Sequence, residues 1–209
     1  MRSTRLLLAL SAAIVTLHAA AVSAADPIDM NDPRRALGRE DDVRVDATIL
    51  HETVTSGSPI SITYQIQNLT AMPVAIAPKS TDVSYDPDTL TITVGLGSEV
   101  PADGAMPAIT MIKPGEKMTF SAAATPLIPL GASASPYAPK PRYVQLKVSI
   151  LRDIAPFAAI PAKQPLSDEL FDKWLSGNDT ILLNAIPVRY TPRARSSTDV
   201  EHRGSRGMF

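Results

Sequence analysis

Residues 58–78 read SPISITYQIQNLTAMPVAIAP. Apolar side chains fall at every second position, at Ile60, Ile62, Tyr64 and Ile66, and Ser61, Thr63, Gln65 and Gln67 stand between them. A period of two is the signature of a strand with one buried and one wet face. The run breaks at Asn68-Leu69-Thr70-Ala71, and a further strand is expected over Pro73–Ala77, since proline is tolerated where a strand begins. One such face buries nothing alone, so the question becomes what else in the chain alternates.

Four other segments do. Val43–His51 places Val43, Val45, Ala47 and Ile49 on one side, and Thr89–Gly95 does the same with Leu90, Ile92 and Val94. Lys117–Ala123 carries Met118, Phe120 and Ala122; Arg142–Leu151 carries Val144, Leu146, Val148 and Ile150. Ala108–Ile112 is a short strand candidate, and Thr180–Tyr190 is a last strand with an irregularity at Pro187. Lys113-Pro114-Gly115-Glu116 has the residues of a type II turn. Ser167–Ser176 is the one helix: Ser167 as N-cap, Asp168 and Glu169 at the positive end of the dipole, an apolar stripe of Leu170, Phe171, Trp174 and Leu175, and Gly177 to end it. About seven half-buried strands solve their burial by stacking two sheets. The expected fold is mainly β, an immunoglobulin-like antiparallel β-sandwich of about seven strands with one late helix, and a small barrel is its competitor. Ile60, Ile62, Tyr64 and Ile66 should meet Leu90, Ile92, Val144 and Val148 in its core.

The flanks read differently. Arg2 and Arg5, the apolar run Leu6–Val22 and the small residues around Ser23–Ala25 make the three-part pattern of a secretory signal peptide over 1–25. Residues 26–42 lack an apolar period and read as a flexible leader; 43–190 read as a single domain containing the helix at 167–176; 191–209, rich in Arg and Ser, reads as a disordered tail. Thr125–Pro141 holds five prolines and reads as a long surface loop. No second long apolar run follows the signal, so no stable membrane insertion is expected after cleavage.

The segments SPISITYQIQNLTAMPVAI and IKPGEKMTF (Ile112–Phe120) together resemble the strands of bacterial immunoglobulin-like or fibronectin-like domains of exported proteins. They are more loosely similar to the small β-sandwich family of intracellular proteinase inhibitors. The resemblance covers about Val43–Leu151 and implies a fold, with adhesion, chaperoning, inhibition and spacing among its uses. It implies no active residues; the Cys and Trp marks of antibody domains are absent.

Composition narrows the function. The formal net charge is −1 and the pI about 6.3, which gives no pull toward nucleic acid. There is no cysteine, which removes disulfides, thiolate metal sites and a Cys nucleophile. His18 lies in the signal and His202 in the tail, leaving His51 at a strand end without a histidine at ligand spacing or a Gly-x-Ser-x-Gly elbow. Asp82, Asp86 and Asp88 share a stretch read as a loop, where oxygen ligands for calcium are weighed against the ordinary use of aspartate in turns. Arg193, Arg195, Arg203 and Arg206 are diluted by Asp199 and Glu201 and read as a solvated tail. No catalytic, cofactor or metal residues are assigned. The expectation is a secreted or periplasmic, non-enzymatic sandwich that binds an unknown protein partner. An edge strand, the Thr125–Pro141 loop and the helix face are the available devices. The alternatives are a structural or accessory subunit of a cell-envelope assembly, a proteinase inhibitor and, last, a hydrolase using His51 or the Asp82 stretch.

Overall fold

The computed structural model describes residues 31–128 and 139–191. The expected signal peptide, residues 26–30 of the leader, most of the proline-rich loop and the tail from 192 lie outside them. The described chain is mainly β, with sheets stacked as a sandwich and one late helix. The first sheet runs β1 (Arg35–Glu40), β2 (Val43–Ile49), β4 (Ile60–Asn68), β9 (Lys117–Ala124), each antiparallel to its neighbour. β3 (Thr53–Thr55) stands outside it. The second sheet is built on β10 (Tyr143–Leu151), with β7 (Thr91–Leu96) and then β6 (Thr81–Asp86) beyond it. β11 (Asn178–Leu182) and β12 (Ile186–Pro187) take the opposite flank of β10, because β7 and β11 both pair with Lys147 and Val148. β5 (Val74–Ile76) meets β10 at Leu151 and carries β8 (Thr110–Ile112). β13 (Arg189–Thr191) pairs with β3 at one end of the sandwich.

The alternation in 58–78 does what its period requires. Ile60, Ile62, Tyr64 and Ile66 are buried in one cluster with Val45, Ile49, Ile92, Val144 and Val148, contributed by both sheets. A fully buried isoleucine contributes about 1.5–3 kcal/mol, so this row anchors the fold. Asn68 ends the row, fully buried yet satisfied. Its Nδ2 donates to the carbonyls of Met72 (2.8 Å) and Ile112 (3.0 Å), and its Oδ1 accepts from Thr70 N (3.0 Å) and Thr70 Oγ1 (2.7 Å). That one amide ties β4 to the turn that leads into β5 and to β8 on the other sheet. Beside it, the Lys113–Glu116 turn forms as expected, with Gly115 at φ +75° and Glu116 N donating to Lys113 O (3.0 Å).

Several expectations are corrected. Residues 35–40 of the leader form β1. A two-residue turn, Asp41-Asp42, holds both residues at positive φ (37° and 61°) and folds β1 back on β2, the geometry of a tight hairpin. Only Ala36 of β1 is fully buried, so the strand carries no apolar period to read. Asp82 and Asp86 lie on strand β6 rather than in a loop. Leu90 leaves the core; it sits half-buried at φ +56° in the β6–β7 turn. The pairing is not wholly antiparallel, since β7 runs parallel to β10 and β3 parallel to β13. The last strand is broken into β11, β12 and β13.

The helix α1 (Asp168–Gly177) starts at Ser167, whose Oγ accepts from Leu170 N (3.4 Å). It closes a second cluster of Ala75, Met106, Leu151, Ile154, Phe157 and Trp174. Trp174 is buried edge-on to Phe157, with ring centroids 5.3 Å apart, and its indole N–H donates to Ser98 O (3.1 Å). No helix among the described residues is long and apolar enough to cross a membrane.

Candidate functional site: the open edge of the sandwich

The residues weighed for chemistry do not converge. His51 is exposed in an open trough with Arg34, Leu50, Glu52 and Thr53. Asp82 lies over Gly95 and faces Lys147 Nζ (3.9 Å), which also donates to Glu99 Oε2 (2.6 Å). The Glu99 hydrogen bond, helped by the charge of Asp82, raises the Lys147 pKa. Asp86 closes its own turn, accepting from Thr89 Oγ1 (2.8 Å) and Asp88 N (2.9 Å), and those bonds hold its carboxyl below the usual range. Among the described residues no three His, Asp or Glu side chains group as a metal site. On the helix, Trp174 is spent on packing, and Leu175 alone of the stripe is exposed.

The strand edges are more informative, because an edge offers unpaired amides to any passing chain. The edge at β1 is latched. Leu37 N donates to Asn184 Oδ1 (2.6 Å), Asn184 N donates back to Leu37 O (3.1 Å), and Arg152 joins Asp179 of β11 to the carbonyls of Glu40 and Asp41. At β6, Asp82 and Asp86 supply charge, and the Tyr85 hydroxyl donates to Pro139 O (3.0 Å) where the chain returns past the strand. β8 is three residues long and runs into Lys113-Pro114. Shortness, charge and proline are the usual guards.

β9 lacks those guards. Its eight residues, KMTFSAAA, pair with β4 alone among the described residues and carry a single charge, Lys117, at one end. The bond from Asn68 N to Glu116 O (3.0 Å) fixes the phase of the β4–β9 ladder. Even-numbered residues of β9 turn their amides to β4, and Lys117, Thr119, Ser121 and Ala123 turn theirs outward. None of these four has a backbone partner among the described residues. β6 approaches this flank without pairing to it.

The core is also unfinished along this edge. Ile62, Tyr64 and Ile66 of β4 are buried, whereas their β9 partners Ala122, Phe120 and Met118 are only partly covered. Tyr64 stacks on Phe120 with centroids 5.3 Å apart and planes at 28°. Its hydroxyl is buried without a hydrogen-bond partner among the described residues, and burial pushes its pKa up to about 12. The site therefore offers a ladder of free amides, an apolar row on its inner face and small polar side chains on its outer face. A strand with the same alternation would complete both the ladder and the core.

The sequence pattern reveals the strand at 117–123 and its inward residues. It cannot reveal that the strand is an edge, because that depends on which strands fail to reach it. Comparison with protein-family models and with curated protein sequences gives no match.

Proposed function

We propose that this chain is an exported, non-enzymatic β-sandwich, secreted or periplasmic, that works by binding another polypeptide along β9. The observation that supports this reading is the contrast between edges: β1, β6 and β8 are latched, charged or short, and β9 is long, nearly uncharged and, among the described residues, unpaired on its outer side. Binding would add main-chain hydrogen bonds to the outward amides of Lys117, Thr119, Ser121 and Ala123 and cover Met118 and Phe120.

The test is photo-crosslinking in the protein's own compartment, with a photoreactive residue at Thr119 and, as a control, at Thr63 on the same face of β4. Adducts are expected from Thr119 and not from Thr63. Ser121→Pro should abolish them while leaving the circular dichroism unchanged, because the Ser121 N–H makes no bond to β4. Equal adducts from both positions, or adducts that survive Ser121→Pro, would overturn the proposal.

A further inference from the structure

We infer that the polypeptide that completes β9 is a second copy of β9, giving a two-fold dimer with one sheet continuous through both molecules. The inference rests on the strand-addition reading above and adds the identity of the occupant.

The occupant must present apolar residues at alternate positions toward the core and small polar ones outward. β9 itself has that pattern: Met118, Phe120 and Ala122 inward, Thr119, Ser121 and Ala123 outward. The outward amides belong to odd-numbered residues, so an antiparallel self-pairing must match odd with odd. Centring the two-fold axis on Ser121 satisfies this. Ser121 then exchanges bonds with Ser121 of the second copy, and Thr119 does so with Ala123.

That register also suits the side chains. Directly opposite residues share a face, so Phe120 lies against Ala122 of the second copy, a large ring against a methyl, on both sides of the axis. Met118 lies against Ala124. Centring one residue earlier would oppose Phe120 to its own copy at the crowded axis. Centring one residue later would oppose two alanines there and leave a void. Electrostatics agree: Lys117 faces Thr125 of the second copy, so the one charge of the strand never meets itself. Without Arg2 and Arg5 of the expected signal the formal net charge is −3, which offers little long-range repulsion.

The absence of cysteine makes a clean experiment possible. In an otherwise wild-type chain, Ser121→Cys should form a disulfide-linked dimer under mild oxidation, since cross-strand Cα distances of about 5.5 Å suit the bond. Thr63→Cys, one strand inward, should not. Sedimentation of the cysteine-free protein should show a monomer–dimer equilibrium. Ser121→Lys, which sets like charges across the axis, should weaken it by about tenfold or more. A protein that stays monomeric, with no Ser121→Cys dimer but with Thr119 photo-adducts to a different protein, would overturn the second copy and leave the strand-addition reading standing. Loss of both the dimer and the adducts would overturn both. A Thr63→Cys dimer as abundant as the Ser121→Cys dimer would place the contact on the sheet face and overturn the inference.

Discussion

Two residues set the terms of the fold, and they solve the same problem in opposite ways. Asn68 is fully buried and meets four partners, so its amide is a clamp. Tyr64 is equally buried and its hydroxyl meets none among the described residues. An unsatisfied buried hydroxyl costs about 1–3 kcal/mol, so Tyr64→Phe is expected to stabilise the protein at neutral pH by about 1 kcal/mol, measured by urea unfolding. The sign with pH follows from burial. The folded-state pKa of about 12 lies above the ordinary 10.0, so the stability linked to the neutral phenol is present below pH 10 and is lost as pH rises through 12. Lys147, also raised, adds to the alkaline loss. Tyr64→Phe should flatten that fall, and an unchanged alkaline slope would show that Tyr64 does not contribute to it.

At the scale of elements, the strands differ in what holds them. β2, β4, β7 and β10 are held by alternating burial, and each was legible from its period alone. β1 is held by a turn and a latch. Asn184→Ala should speed hydrogen exchange at Leu37 and cost about 1 kcal/mol, leaving exchange along β9 unchanged. A matching change along β9 would show that the two flanks are coupled rather than independently closed. β1 shows no strand pattern in the sequence because Arg35, Leu37 and Arg39 contribute no buried row; its readable sign is Asp41-Asp42, residue types that tolerate positive φ. The acidic stretch 82–88 reads as a loop in the sequence for a related reason. β6 buries nothing fully: Val83 and Tyr85 are half-covered, and Asp82 turns outward over Gly95 to face Lys147. Short segments such as β3, β5 and β12 are too brief to show any period, and the parallel pairing of β7 with β10 is a property of topology that no local pattern encodes.

For the whole molecule, the asymmetry between flanks is the central point. One side of the sandwich is closed by Asn184 and Arg152; the other ends in β9, where among the described residues four outward amides have no backbone partner and Met118, Phe120 and Ala122 are only partly covered. Edges of this kind are normally guarded because pairing there is favourable, which is why the proposed interface is placed on β9. The most direct test is residue-resolved amide hydrogen exchange on the full chain at low and high protein concentration. The account predicts that Thr119, Ser121 and Ala123 exchange rapidly when dilute and become protected on self-association, while Ile62, Tyr64 and Ile66 are protected throughout. Protection of the three β9 amides at every dilution would contradict it, because the edge would then already be paired within one molecule.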